Sequence, residues 1–244
     1  LNQINVQMLA PLLPLIPNLG REQVAWWRDV DLQGEIGPVK VYKAQNQPWI
    51  ATAKLNQLQW QPIAQVPGLS PIDIELSWVD NILQVALPEQ QYQIDFAGGF
   101  NQPLALTGKA LSAHFDFNDM RLLAPNIHFF NEDINLQAAL NMHFLEQAAM
   151  ALAANMDIYD VAKASNYFPL MAMSPGLVDY LTSGLKAGSI HQANVLWRGE
   201  FNRYPYTDFD GVFQAEFTIA DGQFKFQPDW PAVKQLDLYA LFEN

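Results

Sequence analysis

The sequence predicts a mainly antiparallel β protein carrying one short helical insert near residues 158–187. Three observations predict it. From Asn135 to Met156 apolar and polar residues alternate: Leu136, Ala138, Leu140, Met142 and Phe144 face one way, and Asn135, Gln137, Asn141 and His143 the other. After Glu146-Gln147 the alternation resumes with Ala148, Met150, Leu152, Ala154 and Met156. A period of two marks strands with one apolar and one wet face. These two strands span roughly ten residues each, against about 5–6 for an ordinary strand. Turn-forming pairs separate further runs of the same kind, and helical spacing with capping residues is concentrated in one place.

Each element follows from local pattern. Residues 11–20 hold three prolines and read as an irregular apolar connector. Arg21 to Val30 fits a short helix, mainly 21–28, carrying Trp26 and Trp27. From Gly37 to Phe144 strand and turn alternate. Ile72, Ile74, Leu76 and Trp78 interleave with Asp73, Glu75 and Ser77; Tyr92, Ile94 and Phe96 lead into Gly98-Gly99; Leu111, Ala113, Phe115 and Phe117 interleave with Ser112, His114 and Asp116. Pro67-Gly68, Asp80-Asn81, Asn118-Asp119 and Asn131-Glu132-Asp133 punctuate them. Asp157 suits the N-cap of a short helix to Asn166. Ser174-Pro175 is a stronger start, a hydroxyl for the free N–H groups and then proline at the first helical position. Leu177, Val178, Leu181 and Leu185 follow at helical spacing, with Gly188 at the left-handed C′ position. Strands return at Ile190 to Trp197, Val212 to Ala220, Gln223 to Gln227 and Val233 to Phe242. The organisation is a sheet segment over 1–156, a helical insert over 157–188 and a continuation of the sheet over 189–244.

Composition limits the function. Of 244 residues half are apolar, enough for a sizeable core, and the formal charge is -12 with only 13 Lys+Arg. That balance opposes nucleic-acid binding, which needs a basic footprint, and opposes adhesion to anionic headgroups. Zero cysteine excludes disulfides and thiolate metal sites. No apolar run approaches the ~18 residues of a membrane span. The chain begins at Leu1 inside a strand pattern and stops at Asn244 just after another, so it reads as a segment of a longer protein, with any signal or anchor outside it. Cut ends of a sheet expose unpaired edges and invite self-association.

Catalytic chemistry is not written in the chain. No nucleophile elbow, P-loop, dinucleotide fingerprint or zinc spacing occurs, and no cofactor or metal is implied. His114, His128, His143 and His191 have no partner at ligand spacing, and strand alternation already places three of them on wet faces. Asp157 and Asp160 form a possible carboxylate pair, but acids at a helix start are favoured by the dipole. Tyr204-Pro205-Tyr206 could stack on a sugar or base and equally fits a tyrosine-flanked turn. Trp26-Trp27 fits an interfacial anchor or a helix packed on a sheet edge. Nothing assembles a base, a nucleophile and an oxyanion site, so an enzyme is not expected.

Two segments carry a resemblance. The first is Leu55 to Leu69, with Leu58-Gln59-Trp60-Gln61-Pro62 and Val66-Pro67-Gly68-Leu69. The second is Gly211 to Leu238, with Gly211, Phe213, Phe217, then Phe224-Lys225-Phe226-Gln227-Pro228-Asp229-Trp230-Pro231 and Leu236. Between them Gly176-Leu177-Val178-Asp179-Tyr180-Leu181 through Gly188 is a weaker match. In order and spacing these resemble the periplasmic YhdP family, relatives of AsmA and TamB in Gram-negative bacteria. The layout extends over roughly residues 1–242, and the Phe-Gln-Pro-Asp-Trp-Pro segment is its most specific part.

The resemblance implies a long, twisted, taco-like half-open antiparallel sheet with a lipid-lined groove. It implies anchorage at the inner membrane, a reach across the periplasm to the outer membrane, and phospholipid movement between the two. The residues supply a physical reason, an apolar face able to hold acyl chains. Its candidates are Ile74, Leu76, Phe115, Phe117, Leu136, Leu140, Met142, Phe144, Phe213, Phe217 and Ile219. Leu177, Leu181 and Leu185 are candidates for a helix that gates or caps the groove. Alternation by itself favours a closed β-sandwich module of an envelope protein, because two such sheets can cover each other; the resemblance favours the open groove. A carbohydrate-binding domain using exposed tryptophan and tyrosine is a third reading.

Overall fold

The computed structural model describes residues 4–8, 29–63, 66–144, 147–168, 170–171 and 173–243. The connector expected at 11–20 and the helix expected at 21–28, with Trp26-Trp27, lie outside the described residues. The fold is mainly β, as expected, and its strand pairings are antiparallel. The chain divides into two compact units, residues 1–98 with 103–117, and residues 99–102 with 118–244.

The first unit holds β1 (Ile4–Asn5), β2 (Gln33–Ile36), β3 (Lys40–Tyr42), β4 (Ile50–Trp60), β5 (Gly68–Val79), β6 (Ile82–Leu87), β7 (Gln90–Asp95), β8 (Leu104–Gly108) and β9 (Leu111–Asp116). Several of these are halves of one interrupted strand. β2 and β3 pair in succession along β4, with Gly37-Pro38 between them. β6 and β7 pair in succession along β5, with Pro88 between them. β9 pairs β6 and β8 pairs β7. Proline has no N–H to give the ladder, so each interruption falls where its donor is missing. Asp80 and Asn81, both with positive φ, make the two-residue turn between β5 and β6.

The first resemblance segment closes on itself here. Trp60 Nε1 donates to the Pro67 carbonyl at 2.8 Å. Gly68 lies so close to Pro62 that an added Cβ would meet its ring at 2.6 Å.

The second unit holds β10 (Arg121–Phe130), β11 (Ile134–His143), β12 (Ala149–Ile158), β13 (Leu185–Glu200), β14 (Val212–Phe224) and β15 (Val233–Glu243). Each pairs with its neighbour in sequence. Between β12 and β13 stand a 3₁₀ segment, Val161–Tyr167, and helix α1, Pro175–Gly184. Pro125 in β10 coincides with a register shift between Ala124 and Ile127, the bulge that a strand proline requires.

Four local expectations are corrected. Asp157 is not a cap: it is still in β12, and its Oδ1 accepts the Gln192 N–H at 2.9 Å. The cap is Asp160, which accepts the Ala162 N–H at 3.0 Å, and the segment it starts is 3₁₀. Gly188 does not end α1. The helix stops at Gly184 because Leu185 already pairs with Phe224, and sheet pairing overrides the helical spacing of Leu185. Gly188 lies inside β13 with φ +123°, and a Cβ there would meet the Gly222 backbone at 2.9 Å. Finally, Val212 to Phe224 is one strand rather than two. Asp221-Gly222, a turn signal in sequence, is absorbed as a bulge that β15 pairs across. The start at Ser174-Pro175 is as expected, with Ser174 Oγ accepting the Leu177 N–H at 3.4 Å.

Candidate functional site

Strand register sorts the second unit into apolar rows. Directly opposed residues share a face. Ile134, Ile158, Ile190, Ile219 and Leu238 form one row from β11 to β15. Next come Phe129, Leu136, Met156 and Ala193. The third row is Ile127, Ala138, Ala154, Val195, Ala215 and Phe242. The fourth is Ala124, Leu140, Leu152, Trp197 and Phe213. The fifth is Leu122, Met142, Met150 and Gly199. All five lie on the same face, and the middle row is the shallowest because its side chains are mostly Ala and Val.

Among the described residues, two ends of this face are covered and its middle is not. The 3₁₀ segment packs against β13 and buries Val161 and Ala164, and the isoleucines of the first row are buried with them. A polar latch holds that segment. Asp133, nearly buried in the β10–β11 turn, accepts from Lys163 Nζ at 2.6 Å and from the Tyr167 hydroxyl at 3.1 Å. Asn131 Nδ2 donates to the same hydroxyl at 2.8 Å. The Asp133 hydrogen bond keeps the Lys163 ammonium above its ordinary value, and burial does the same to the Tyr167 phenol. Residues 99–102 hold the far end, with Asn101 Nδ2 donating to the Ser165 carbonyl at 2.8 Å. At the opposite strand ends, the β13–β14 connection folds Tyr204 and Tyr206 onto Trp197, with ring centroids 5.2 and 6.0 Å away. Between these covers Leu136, Leu140, Met142, Phe213 and Phe217 stay half-buried.

The reverse face is wet and laced across strands. Asn155 Nδ2 donates to Asn194 Oδ1 at 3.0 Å, Asn194 Nδ2 to Glu216 Oε1 at 3.0 Å, and the Tyr239 hydroxyl to Glu216 Oε2 at 3.1 Å. His128 Nε2 contacts Asn135 Oδ1 at 2.8 Å. His128 thus has a strand-face partner, and Asp157 and Asp160 serve β13 and the 3₁₀ cap. Among the described residues no cluster of His, Asp and Glu could hold a metal, and no helix is long and apolar enough to cross a membrane.

The first unit shows the same division by register. Ala51, Trp78, Leu83 and Phe115 oppose one another, as do Ala53, Leu76, Val85 and Ala113, and Ile74 opposes Leu55. Phe117 extends this face, its ring 4.6 Å from Phe115 and 5.1 Å from Trp78. The other face carries Lys40, Thr52, Ser77, Gln84 and His114, and the ion pair of Lys54 and Glu75.

The structure therefore places Ile74, Leu76, Phe115 and Phe117 together in the first unit. It places Leu136, Leu140, Met142, Phe213, Phe217 and Ile219 together in the second. Phe144 continues the parity of Met142 just past β11, at 44% exposure. Ile219 is buried in the isoleucine row. The helix stripe is not assembled as expected: Leu177 is 44% exposed, Leu181 is half-buried, and Leu185 belongs to β13. Phe224 packs on α1. Its ring is 5.5 Å from Tyr180 and so close to Gly184 that a Cβ there would lie 2.5 Å from it. Sequence reasoning missed the aromatic cover at Trp197. The signal was present in Tyr204-Pro205-Tyr206, with Gly199 and Gly211 on either side.

The family model described as YhdP protein matches residues 1–244. The "Intermembrane phospholipid transporter YhdP" of Escherichia coli (strain K12) is 27% identical over 199 residues, which is 79% of this chain and 16% of that protein. The chain thus spans about a sixth of this relative's length. No solved structure matches.

Proposed function

Because this chain belongs to the YhdP family, we propose that it is one segment of a lipid conduit, whose apolar sheet face carries phospholipid acyl chains between the inner and outer membranes without catalysis. One observation carries the reading. The register-aligned rows of the second unit are apolar over six strands, yet their middle is only half-buried. A closed sandwich would bury such rows against a second sheet, whereas an acyl chain needs them accessible. Each buried CH₂ contributes about 0.8 kcal/mol, so a sixteen-carbon chain gains on the order of 10 kcal/mol before entropy losses. That affinity is spread over many Leu, Ala, Met and Phe contacts, and a chain held by no single residue can slide. The name of the Escherichia coli relative, an intermembrane phospholipid transporter, fits this chemistry. The wet reverse face fits the periplasm, with anchorage at the inner membrane supplied by parts of the protein outside this segment.

The test is photocrosslinking in the intact protein. A photoreactive residue at Leu136 or Ala154 is expected to capture phospholipid, and Leu140→Asp with Phe144→Asp to suppress that capture several-fold while the fold is retained. Undiminished capture in the folded double variant would falsify the assignment of this face.

A further inference from the structure

The wet face of the first unit differs from that of the second. In the second unit the polar side chains bond to one another, from Asn155 through Asn194 and Glu216 to Tyr239. In the first, Lys40, Thr52, Ser77 and Gln84 oppose one another across β3, β4, β5 and β6. Among the described residues the side chains of Lys40, Thr52 and Ser77 have no hydrogen-bond or ion-pair partner. Gln84 gives its Nε2 to Ser112 Oγ at 3.2 Å, which leaves its amide oxygen as an acceptor. This row and the Lys54–Glu75 ion pair beside it line a trough of about 400 Å³. Thr52 and Ser77 are half-buried in it.

The row on the other side of Thr52 and Ser77 is apolar, although it lies on the wet face. Tyr42, Ile50, Val79 and Ile82 oppose one another there. Tyr42, Ile50 and Ile82 are 55%, 39% and 40% exposed. Contiguous exposed apolar groups beside unpartnered polar groups in a concavity mark a binding surface. The ligand has to match both rows. Lys54 is neutralised by Glu75, so Lys40 is the one uncompensated cation among hydroxyls and an amide. A phosphate or a nucleic acid calls for several cations and would meet the Glu75 carboxylate. A sugar ring matches instead. Its hydroxyls donate and accept, as those of Thr52 and Ser77 do. Two vicinal hydroxyls can bridge the donor Lys54 and the acceptor Glu75, while the C–H face of the ring lies on the Tyr42 ring and on Ile50. Four strands about 4.8 Å apart make the row roughly 14 Å long, the length of a short run of linked sugars.

We propose that the trough on the wet face of the first unit binds an oligosaccharide chain, with Thr52, Ser77, Gln84 and the Lys54–Glu75 pair on its hydroxyls and Lys40 on the carboxylate of an acidic sugar. This function does not depend on the lipid-bearing reading. The trough and the apolar rows of the first unit are on opposite faces of the sheet, so a bound sugar chain leaves the apolar face untouched.

The experiment is calorimetric titration of the intact protein with two probes, a tetrasaccharide of N-acetylglucosamine and the same chain bearing a lactyl carboxylate on alternate rings. Both are expected to bind, the acidic chain more tightly. Lys40→Ala removes a charge-assisted hydrogen bond, so it is expected to weaken the acidic chain about tenfold and to leave the neutral chain unchanged. Thr52→Val combined with Ser77→Ala is expected to weaken both chains about tenfold. Valine keeps a β-branched side chain in β4, so the double variant should fold; should it not, Lys40→Ala, at an exposed position, decides the matter by itself. Absence of binding by both chains overturns the site, as does binding of the acidic chain that is unaltered in Lys40→Ala. Displacement of the acidic chain by an equal concentration of inorganic phosphate overturns it as well, because the trough would then hold an anion and not a sugar.

Discussion

At the scale of single residues, Asp133 shows how a polar side chain can control an apolar surface. It is the common acceptor for Lys163 and Tyr167, and through them it holds the 3₁₀ segment over the isoleucine row. Asp133→Ala strips a buried acceptor from two donors, and unfolding by urea is expected to show a loss of about 1–3 kcal/mol. A change below a few tenths would mean the latch is ornamental. The tyrosines make a second prediction. Tyr92, Tyr167 and Tyr206 all have phenols raised above their ordinary value, with burial as the largest cause. The fold thus prefers the neutral phenol. Its stabilising contribution is complete below about pH 10, where the unfolded tyrosine titrates, and is lost as pH rises through the higher folded values. Melting temperature followed alongside tyrosinate absorbance should fall steeply above about pH 10, and less steeply in Tyr206→Phe. The sequence offered no hint of either feature. Asn131-Glu132-Asp133 reads as an ordinary turn, and only the fold brings Lys163 and Tyr167 to it.

At the scale of elements, the strands were legible and their interruptions were not. Alternation at 135–156 marked β11 and β12 because each has one wet face, so composition and geometry carry the same period. The same logic found Ile74 with Leu76, and Phe115 with Phe117. It failed at Asp221-Gly222 and at Gly188, where residues that normally turn or cap a chain serve as bulges between two paired neighbours. Local chemistry cannot distinguish these uses, because the deciding contact is another strand. The helical insert was placed correctly at Ser174 but extended too far, for β14 claims Leu185. Its two parts should also differ in stability. Val161 and Ala164 are buried and latched, whereas Leu177 and Tyr180 are more than two-fifths exposed. Hydrogen exchange is expected to be faster over 177–184 than over 161–167. Equal protection of both, at the level of β12 and β13, would make α1 a fixed cap and remove any gating role. The β13–β14 connection offers a matching test. Gly211→Ala should expel the Tyr206 ring, and the near-ultraviolet dichroism of Trp197 should diminish; an unaltered spectrum would show that the ring tolerates the methyl.

At the scale of the whole molecule, net charge and strand order matter most. A chain of formal charge -12 has little electrostatic attraction for anionic membranes. Its association with vesicles is therefore expected not to strengthen as phosphatidylglycerol replaces neutral lipid, nor to weaken with added salt. Binding that grows with anionic content would point to a headgroup-driven encounter instead. The strand order of the second unit has a different kind of consequence. From β10 to β15 every strand pairs with the strands next to it in sequence, so no connection has to leap over another. Ladders of this type assemble as the chain emerges, since each new strand finds its partner already in place. They also tolerate changes in length. A duplicated hairpin adds two rungs, and a deleted one removes two, without rewiring any other pairing. The length of such a sheet can change by the simplest genetic events, repetition and loss, while every surviving rung keeps its neighbours.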